Sequence, residues 1–309
     1  MTLRGLGTNI QGAGMEIDRD RLRELLRLAR REDWGEAGDV TSLLLPETAF
    51  NAIGRWEVRA RGPGRFCGSA ILPELLESLA PEVRVAWVKP DADHHPVEAG
   101  EVVARLEGRA CQMLAAERTV LNFLQHLSGV ATLTARYVTA VAGTHTKIFD
   151  TRKTTPGMRD LERYAVRCGG GHNHRTGLYD AVLIKDNHLA GVPVHRLAHR
   201  LMEMLNGLGR LPLEPAFVEV ECDSVEQLAE LQKVVGIDVI LLDNFDRASL
   251  RESVRLRDTA GLRGKVELEA SGGARLETVR AIAETGVDRI AVGALTHSAP
   301  ILDLGLDAI

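Results

Sequence analysis

A chain of 309 residues, 45% hydrophobic and 26% charged, has the length of roughly two domains and the balance of a globular protein. Its formal net charge of -5 excludes a global basic field for nucleic acid or an acidic membrane, so an anionic ligand must be held by local cations. No run of about 18 apolar residues occurs and no secretory signal is present, so no membrane span is expected and the chain is assigned to the cytoplasm.

Residues 1–14 are glycine-rich, lack an apolar core and read as a flexible tail. Over residues 17–31, Ile17, Leu22, Leu25, Leu26 and Ala29 recur at helical spacing, with Asp18 as the candidate N-cap. Residues 51–108 differ: short β-like runs at 55–60 and 83–88 are broken by Gly62, Pro63, Gly64, Pro81, Pro90 and Pro96. A helix free of Pro and Gly is predicted over 110–127, with apolar Met113, Leu114, Val120, Leu121 and Leu124. This first part reads as a small α+β domain. Cys67, Cys111, Cys168 and Cys222 show no C-x-x-C spacing and read as buried, inert thiols.

After about Gly143 the rhythm changes. Apolar runs at 147–149, 181–184, 217–220, 239–242, 266–268 and 290–292 alternate with helical segments at 157–168, 194–205, 224–235, 247–257 and 276–284. Such alternation implies a parallel sheet covered on both faces. Each run is followed closely by a residue capable of chemistry: Asp150 and Arg152, then Lys185, Glu221, Asp243, Ser271 and Gly293. In a β/α barrel the carboxyl ends of all strands converge on one mouth, where the active site sits. A barrel is therefore favoured over an open sheet.

The residues at that mouth suggest its ligand. Arg152, Lys153, His174, Arg175 and Lys185 concentrate cations on an acidic protein, which suits a polyanionic substrate. Ser271, Gly272 and Gly273, and then Gly293, stand between strand and helix, where backbone amides can bind phosphate. Glu221 and Asp243 could bind Mg2+, hold ribose hydroxyls or steady a cationic transition state. A glycosidase pair is disfavoured by the surrounding cations, and Glu219, on the same strand face as Glu221, is a second-choice member. Gly62, Gly64 and Gly68 do not fit G-x-G-x-x-G and read as a turn; His94 and His95 read as exposed loop residues. These residues describe a site for a phosphorylated sugar and a second anion, with a divalent metal.

A series of further motifs runs along the chain. They are Asp150-Thr-Arg-Lys-Thr-Thr-Pro-Gly157, Gly169-Gly-Gly-His-Asn-His-Arg-Thr-Gly-Leu178 and Leu183-Ile-Lys-Asp-Asn-His188. Val218-Glu-Val-Glu221, Leu241-Leu-Asp-Asn-Phe245, Glu269-Ala-Ser-Gly-Gly273 and Val292-Gly-Ala-Leu-Thr-His297 follow, in that order. Glu117-Arg-Thr-Val-Leu-Asn122 and Ser128-Gly129 precede them, and together these motifs resemble those of the quinolinate phosphoribosyltransferases. The resemblance implies an α/β fold of the type II phosphoribosyltransferase kind. An N-terminal α/β sandwich (15–130) would join an incomplete α/β barrel (131–294), with a C-terminal segment (295–309) packing back on the sandwich.

It further implies a homodimer, or a higher oligomer, in which Arg118 reaches the partner's barrel mouth. Arg118, Arg152, His174 and Arg175 would bind the two carboxylates of quinolinate, with Lys153 and Lys185 nearby. Glu221 and Asp243 would contact ribose hydroxyls and Mg2+ and stabilise the oxocarbenium-like centre. Ser271, Gly272, Gly273, Gly293 and His297 would cradle the 5′-phosphate of phosphoribosyl pyrophosphate. Lys153, Lys185, Glu221 and Asp243 are the expected catalytic residues. Rival readings are a Schiff-base lyase using Lys185, a non-catalytic sensor of phosphorylated ligands, and a relative acting on nicotinate. The surplus of cations favours a dicarboxylate.

Overall fold

The structure, a computed structural model, describes residues 17–89 and 93–309. The tail expected over 1–14 and the breaker Pro90 lie outside the described residues. The N-terminal half contains α1 (Arg19–Trp34), α2 (Glu47–Phe50), β1 (Ile53–Ala60), β2 (Gly64–Arg65), α3 (Leu72–Leu79), β3 (Arg84–Trp87), β4 (Pro96–Val97), β5 (Val102–Arg109) and α4 (Ala110–Ala140). Next come β6 (Lys147–Phe149), α5 (Arg159–Cys168), β7 (Val182–Ile184), α6 (Leu197–Leu205), β8 (Val218–Cys222), α7 (Val225–Leu231), β9 (Val239–Asp243) and α8 (Arg247–Thr259). The chain closes with β10 (Glu267–Ser271), α9 (Leu276–Ala283), β11 (Arg289–Ala291), α10 (Ala294–His297) and β12 (Leu304–Ala308).

Two compact units result. One comprises the described residues up to 135 together with 154–170 and 294–309; the other comprises 136–153 and 171–293. In the first, Asp18 caps α1 by accepting the amides of Asp20 and Arg21 at 3.1 Å. Leu22 and Leu26 form the buried face of α1. Behind them an antiparallel sheet runs β12-β1-β5-β3, with Trp56 opposite Ala308 and Ala60 opposite Leu304. All four cysteines are buried and unpaired.

The helix expected to stop at residue 127 runs on to Ala140. Ser128 and Gly129 do not end it because the helix is enclosed there: Leu127, Ser128, Val130 and Ala131 are fully buried. A Cβ on Gly129 would lie 2.2 Å from the Pro300 carbonyl oxygen, so glycine is what lets the C-terminal segment approach. Among the described residues no helix is long and apolar enough to cross a membrane.

The second unit holds six parallel strands in the order β6-β11-β10-β9-β8-β7. Each of β7 to β10 lies beside its successor, and the first strand of the series, β6, joins the last, β11, rather than β7. That is the cyclic order of an α/β barrel left open between β6 and β7. His172 continues the β6 edge through a parallel bridge to Phe149. The strand expected over 147–149 is β6 itself, most of the others differ by a residue or two at their ends, and β10 runs from Glu267 to Ser271 rather than over 266–268. The reason is that its glutamates point into the barrel, where an apolar criterion does not find them. The helix expected from 157 begins at Arg159, after Gly157 in a left-handed conformation at φ +81.

Candidate active site

The register of the parallel strands decides what lines the concave face. Glu221 pairs with Leu241, Leu241 with Glu269, Glu269 with Arg289, and Asp243 with Ser271. Register partners in a parallel sheet point the same way, and so do residues two apart on a strand. Glu219, Glu221, Asp243, Glu269, Ser271 and Arg289 therefore share one face. Lys185, two residues beyond Leu183, shares it too, because Leu183 pairs with Glu219.

Lys185 forms an ion pair with Glu221, its neighbour at the strand ends. Asp243 accepts a hydrogen bond from Asn244 Nδ2 at 2.7 Å. Asn244 takes a left-handed conformation at φ 56 and donates its amide to the Ser271 carbonyl at 2.9 Å. Gly272, at φ +94, abuts Asn244: a Cβ there would sit 2.1 Å from Asn244 Oδ1. The turns after β9 and β10 are thus locked together, and Ser271, Gly272 and Gly273 are presented in a fixed order.

A second group lies deeper. Asp150, fully buried after β6, accepts the His174 amide at 2.7 Å and Asn173 Nδ2 at 2.6 Å. This fastens the glycine-rich loop to the end of β6. His174 Nε2 lies 2.9 Å from Glu219 and 3.4 Å from Glu269, both carboxylates having no solvent exposure. His174 Nδ1 accepts the Arg175 amide at 2.7 Å. Burial opposes a charged ring, but Glu219 and Glu269 outweigh it and push the His174 pKa up to about 10. The Arg175 amide claims the Nδ1 lone pair, so the proton this cluster retains belongs on the Nε2 and carboxylate side. Burial and the charge of Glu269 correspondingly hold Glu219 above the usual carboxylate range.

Arg175 is itself buried, with Nη1 3.4 Å from the Ala181 carbonyl oxygen. Its pKa is lowered by burial first and by the charge of Arg152 second. The two guanidinium groups are thus within electrostatic reach of each other. Arg289 lies over the Phe149 ring at 4.7 Å and pairs with Glu267.

Of the residues singled out in the sequence, Arg152, Lys153, His174, Arg175, Lys185, Glu221, Asp243, Ser271, Gly272, Gly273 and Gly293 all fall in this unit. Arg118, exposed on α4, and His297, exposed on α10 with Nδ1 2.6 Å from Ser298 Oγ, fall in the other. Sequence reasoning did not single out Glu269, Asn244 and Arg289, and it ranked Glu219 behind Glu221. The alternation of Glu219 with Glu221 and of Glu267 with Glu269 was the available signal.

Two sets of donors among the described residues are close enough to surround an ion. In the His174–Glu219–Glu269 set the ring nitrogen meets the carboxylates directly. In the Cys67–Asp93–Cys168 set, Asp93 is taken up by the amides of Gly68 and Ser69 and by the hydroxyls of Ser69 and Tyr164. Burial, together with Cys168, pushes the Cys67 thiol up, which disfavours the thiolate a metal needs. That set is a packing feature.

The sequence model described as quinolinate phosphoribosyl transferase, N-terminal domain, matches residues 39–128, and its C-terminal counterpart matches residues 130–307. The chain is 40% identical over 287 residues, 93% of each chain, to the probable nicotinate-nucleotide pyrophosphorylase (carboxylating) of Bacillus subtilis. It is 40% identical over 290 residues to the corresponding enzyme of Mycobacterium leprae, covering 93% of this chain and 97% of that one. Among solved structures, the nicotinate-nucleotide pyrophosphorylase of Francisella tularensis matches with a TM-score of 0.81 at 34% identity, over 95% of this chain and 98% of that one. That of Ehrlichia chaffeensis matches at 0.80 and 35% identity, over 93% and 98%.

Proposed function

The chain belongs to the quinolinate phosphoribosyltransferase family, and from that membership we propose how its barrel mouth carries out the reaction. The phosphoribosyl group of phosphoribosyl pyrophosphate passes to quinolinate, giving nicotinate mononucleotide, pyrophosphate and CO2 for NAD biosynthesis. The observation that carries this reading is the burial of Arg175 near Arg152. A buried guanidinium disfavoured by a second cation gains from an anionic ligand, and arginine suits carboxylate through its two-pronged fork. Quinolinate brings two carboxylates.

Arg152 and Arg175 bind these groups, with Lys153 and Lys185 beside them and His174 beneath. Glu221 and Asp243 hold the ribose hydroxyls and face the positive charge that develops at C1′. Ser271, Gly272, Gly273 and Gly293 receive the 5′-phosphate through backbone amides and the serine hydroxyl. The pyridine nitrogen attacks C1′ as pyrophosphate leaves. Fixed charges do the work, by orienting both substrates and matching the charge of the transition state. The nitrogen, once quaternary, draws in the electron pair of the breaking bond to the neighbouring carboxylate, which leaves as CO2; a proton then takes its place. Glu221 and Asp243 are oxygen donors at partly exposed strand ends, a set that fits Mg2+, which keeps its waters and would offset phosphate charge.

Incubation with quinolinate, phosphoribosyl pyrophosphate and Mg2+ is expected to yield nicotinate mononucleotide and CO2, while nicotinate remains unused. Turnover of nicotinate in place of quinolinate would overturn the substrate assignment. The functional unit is a homodimer in which Arg118 completes the partner's site. A mixture of inactive Arg118→Ala and Lys185→Ala proteins, allowed to exchange subunits, should regain activity; exchange without recovery would refute the sharing.

A further inference from the structure

Four carboxylate oxygens, both of Glu219 and both of Glu269, are buried in the barrel, and among the described residues His174 Nε2 lies within ion-pair distance of both carboxylates. A buried carboxylate is expensive to keep without partners. Packing does not need this pair, since aliphatic residues fill barrel interiors elsewhere. The pair has a specific geometric effect. With Nε2 directed at the acids from two strands, the only ring nitrogen left is Nδ1, and it receives the amide of the next residue, Arg175. The same loop is fastened from the opposite side by Asp150, through the His174 amide and Asn173. The backbone of Arg175 is therefore held between a carboxylate at the end of β6 and an imidazole whose orientation is set by β8 and β10. Phe217 packs against the same ring in an edge-to-face arrangement, 5.5 Å between centroids.

We propose that Glu219 and Glu269 are positioning residues that fix the tautomer and orientation of His174, and through it place Arg175 for the aromatic dicarboxylate. The inference rests on the reaction assigned above for its substrate, though not for its geometry. His174 then acts through Arg175, and its ring offers neither nitrogen to the substrate. The ring arrangement is analogous to a carboxylate fixing the tautomer of a metal-bound or catalytic histidine, with a backbone amide in place of the metal or nucleophile.

Two measurements test this. In protein carrying nitrogen-15 histidine, without substrate, the His174 ring should show a proton on Nε2 and a bare Nδ1. Glu219→Leu and Glu269→Leu should release it into exchange between tautomers, whereas Glu269→Gln, which keeps an acceptor, should preserve it. In steady-state kinetics the two Leu variants and His174→Phe should raise KM for quinolinate about tenfold or more, the loss expected when a charge-assisted contact is misplaced. KM for phosphoribosyl pyrophosphate should stay within about twofold, and Glu269→Gln should recover most of the affinity. Combining Glu269→Leu with His174→Phe should add little to either alone.

A proton on Nδ1 in the native protein would overturn the proposal. Equal shifts in both KM values, or additive losses in the double variant, would do the same. If the Leu variants do not fold, the native and Glu269→Gln spectra decide. If the native protein shows the expected tautomer yet does not use quinolinate, the reaction assignment fails and the positioning of Arg175 stands.

Discussion

Asn244 and Gly272 show how closely the turns at the mouth are specified. Both occupy the left-handed region, and each fills the space the other leaves. Gly272→Ala combines backbone strain with a collision against Asn244, so it should weaken phosphoribosyl pyrophosphate binding at least tenfold and lower the melting temperature. Gly273, at φ +62 with open space around it, should tolerate alanine better, losing about 1 kcal/mol from strain alone. Substrate titration and thermal melts of the two variants distinguish these effects.

Asp180 illustrates a second residue-scale rule. It accepts the amides of Thr176 at 2.7 Å and Gly177 at 2.9 Å. Burial opposes its charge, but these amides outweigh burial and hold its carboxyl below the usual range. The fold thus favours the ionised form. Its stabilisation is complete above the ordinary carboxylate pKa of about 3.9 and is lost as pH falls through the lower folded value. Asp180→Asn should lower the melting temperature at pH 7 and differ less from the parent at pH 3.

At the scale of elements, α4 carries the clearest lesson about what the sequence discloses. Its apolar spacing predicted the helix, but Ser128 and Gly129 looked like its end. The continuation to Ala140 depends on the C-terminal segment reaching Gly129 from far along the chain. Gly129→Ala should consequently reduce stability in thermal melts, although alanine is the better helix former by about 1 kcal/mol.

The six catalytic strands were legible from apolar runs, and their polar followers from position. The mouth residues Lys185, Glu221, Asp243 and Ser271 could be found because strand ends are where polar residues stand out. Glu219, Glu269 and Arg289 lie within strands. Only register and the cyclic order of the sheet show that their side chains converge on one interior. Asn244 could be read as part of a motif, but its left-handed turn is a property of the folded backbone.

At the scale of the whole molecule, both units are assembled from segments distant in sequence. The motif that begins with Asp150 is divided between them after Lys153, so its two halves, continuous in sequence, belong to different units. The two family models together run from residue 39 to residue 307, so they begin after α1 and end inside β12.

The strand orders have a bearing on synthesis. In one unit the opening strand β1 takes the final strand β12 as its neighbour; in the other, β6 takes β11. A chain leaving the ribosome from its N-terminus completes the parallel sheet only when β11 emerges and the antiparallel sheet only when β12 does, and until then β6 and β1 present unsatisfied edges. Such long-range closure favours slow folding and makes a nascent chain stalled short of Leu304 a candidate for aggregation and chaperone capture rather than a half-working enzyme.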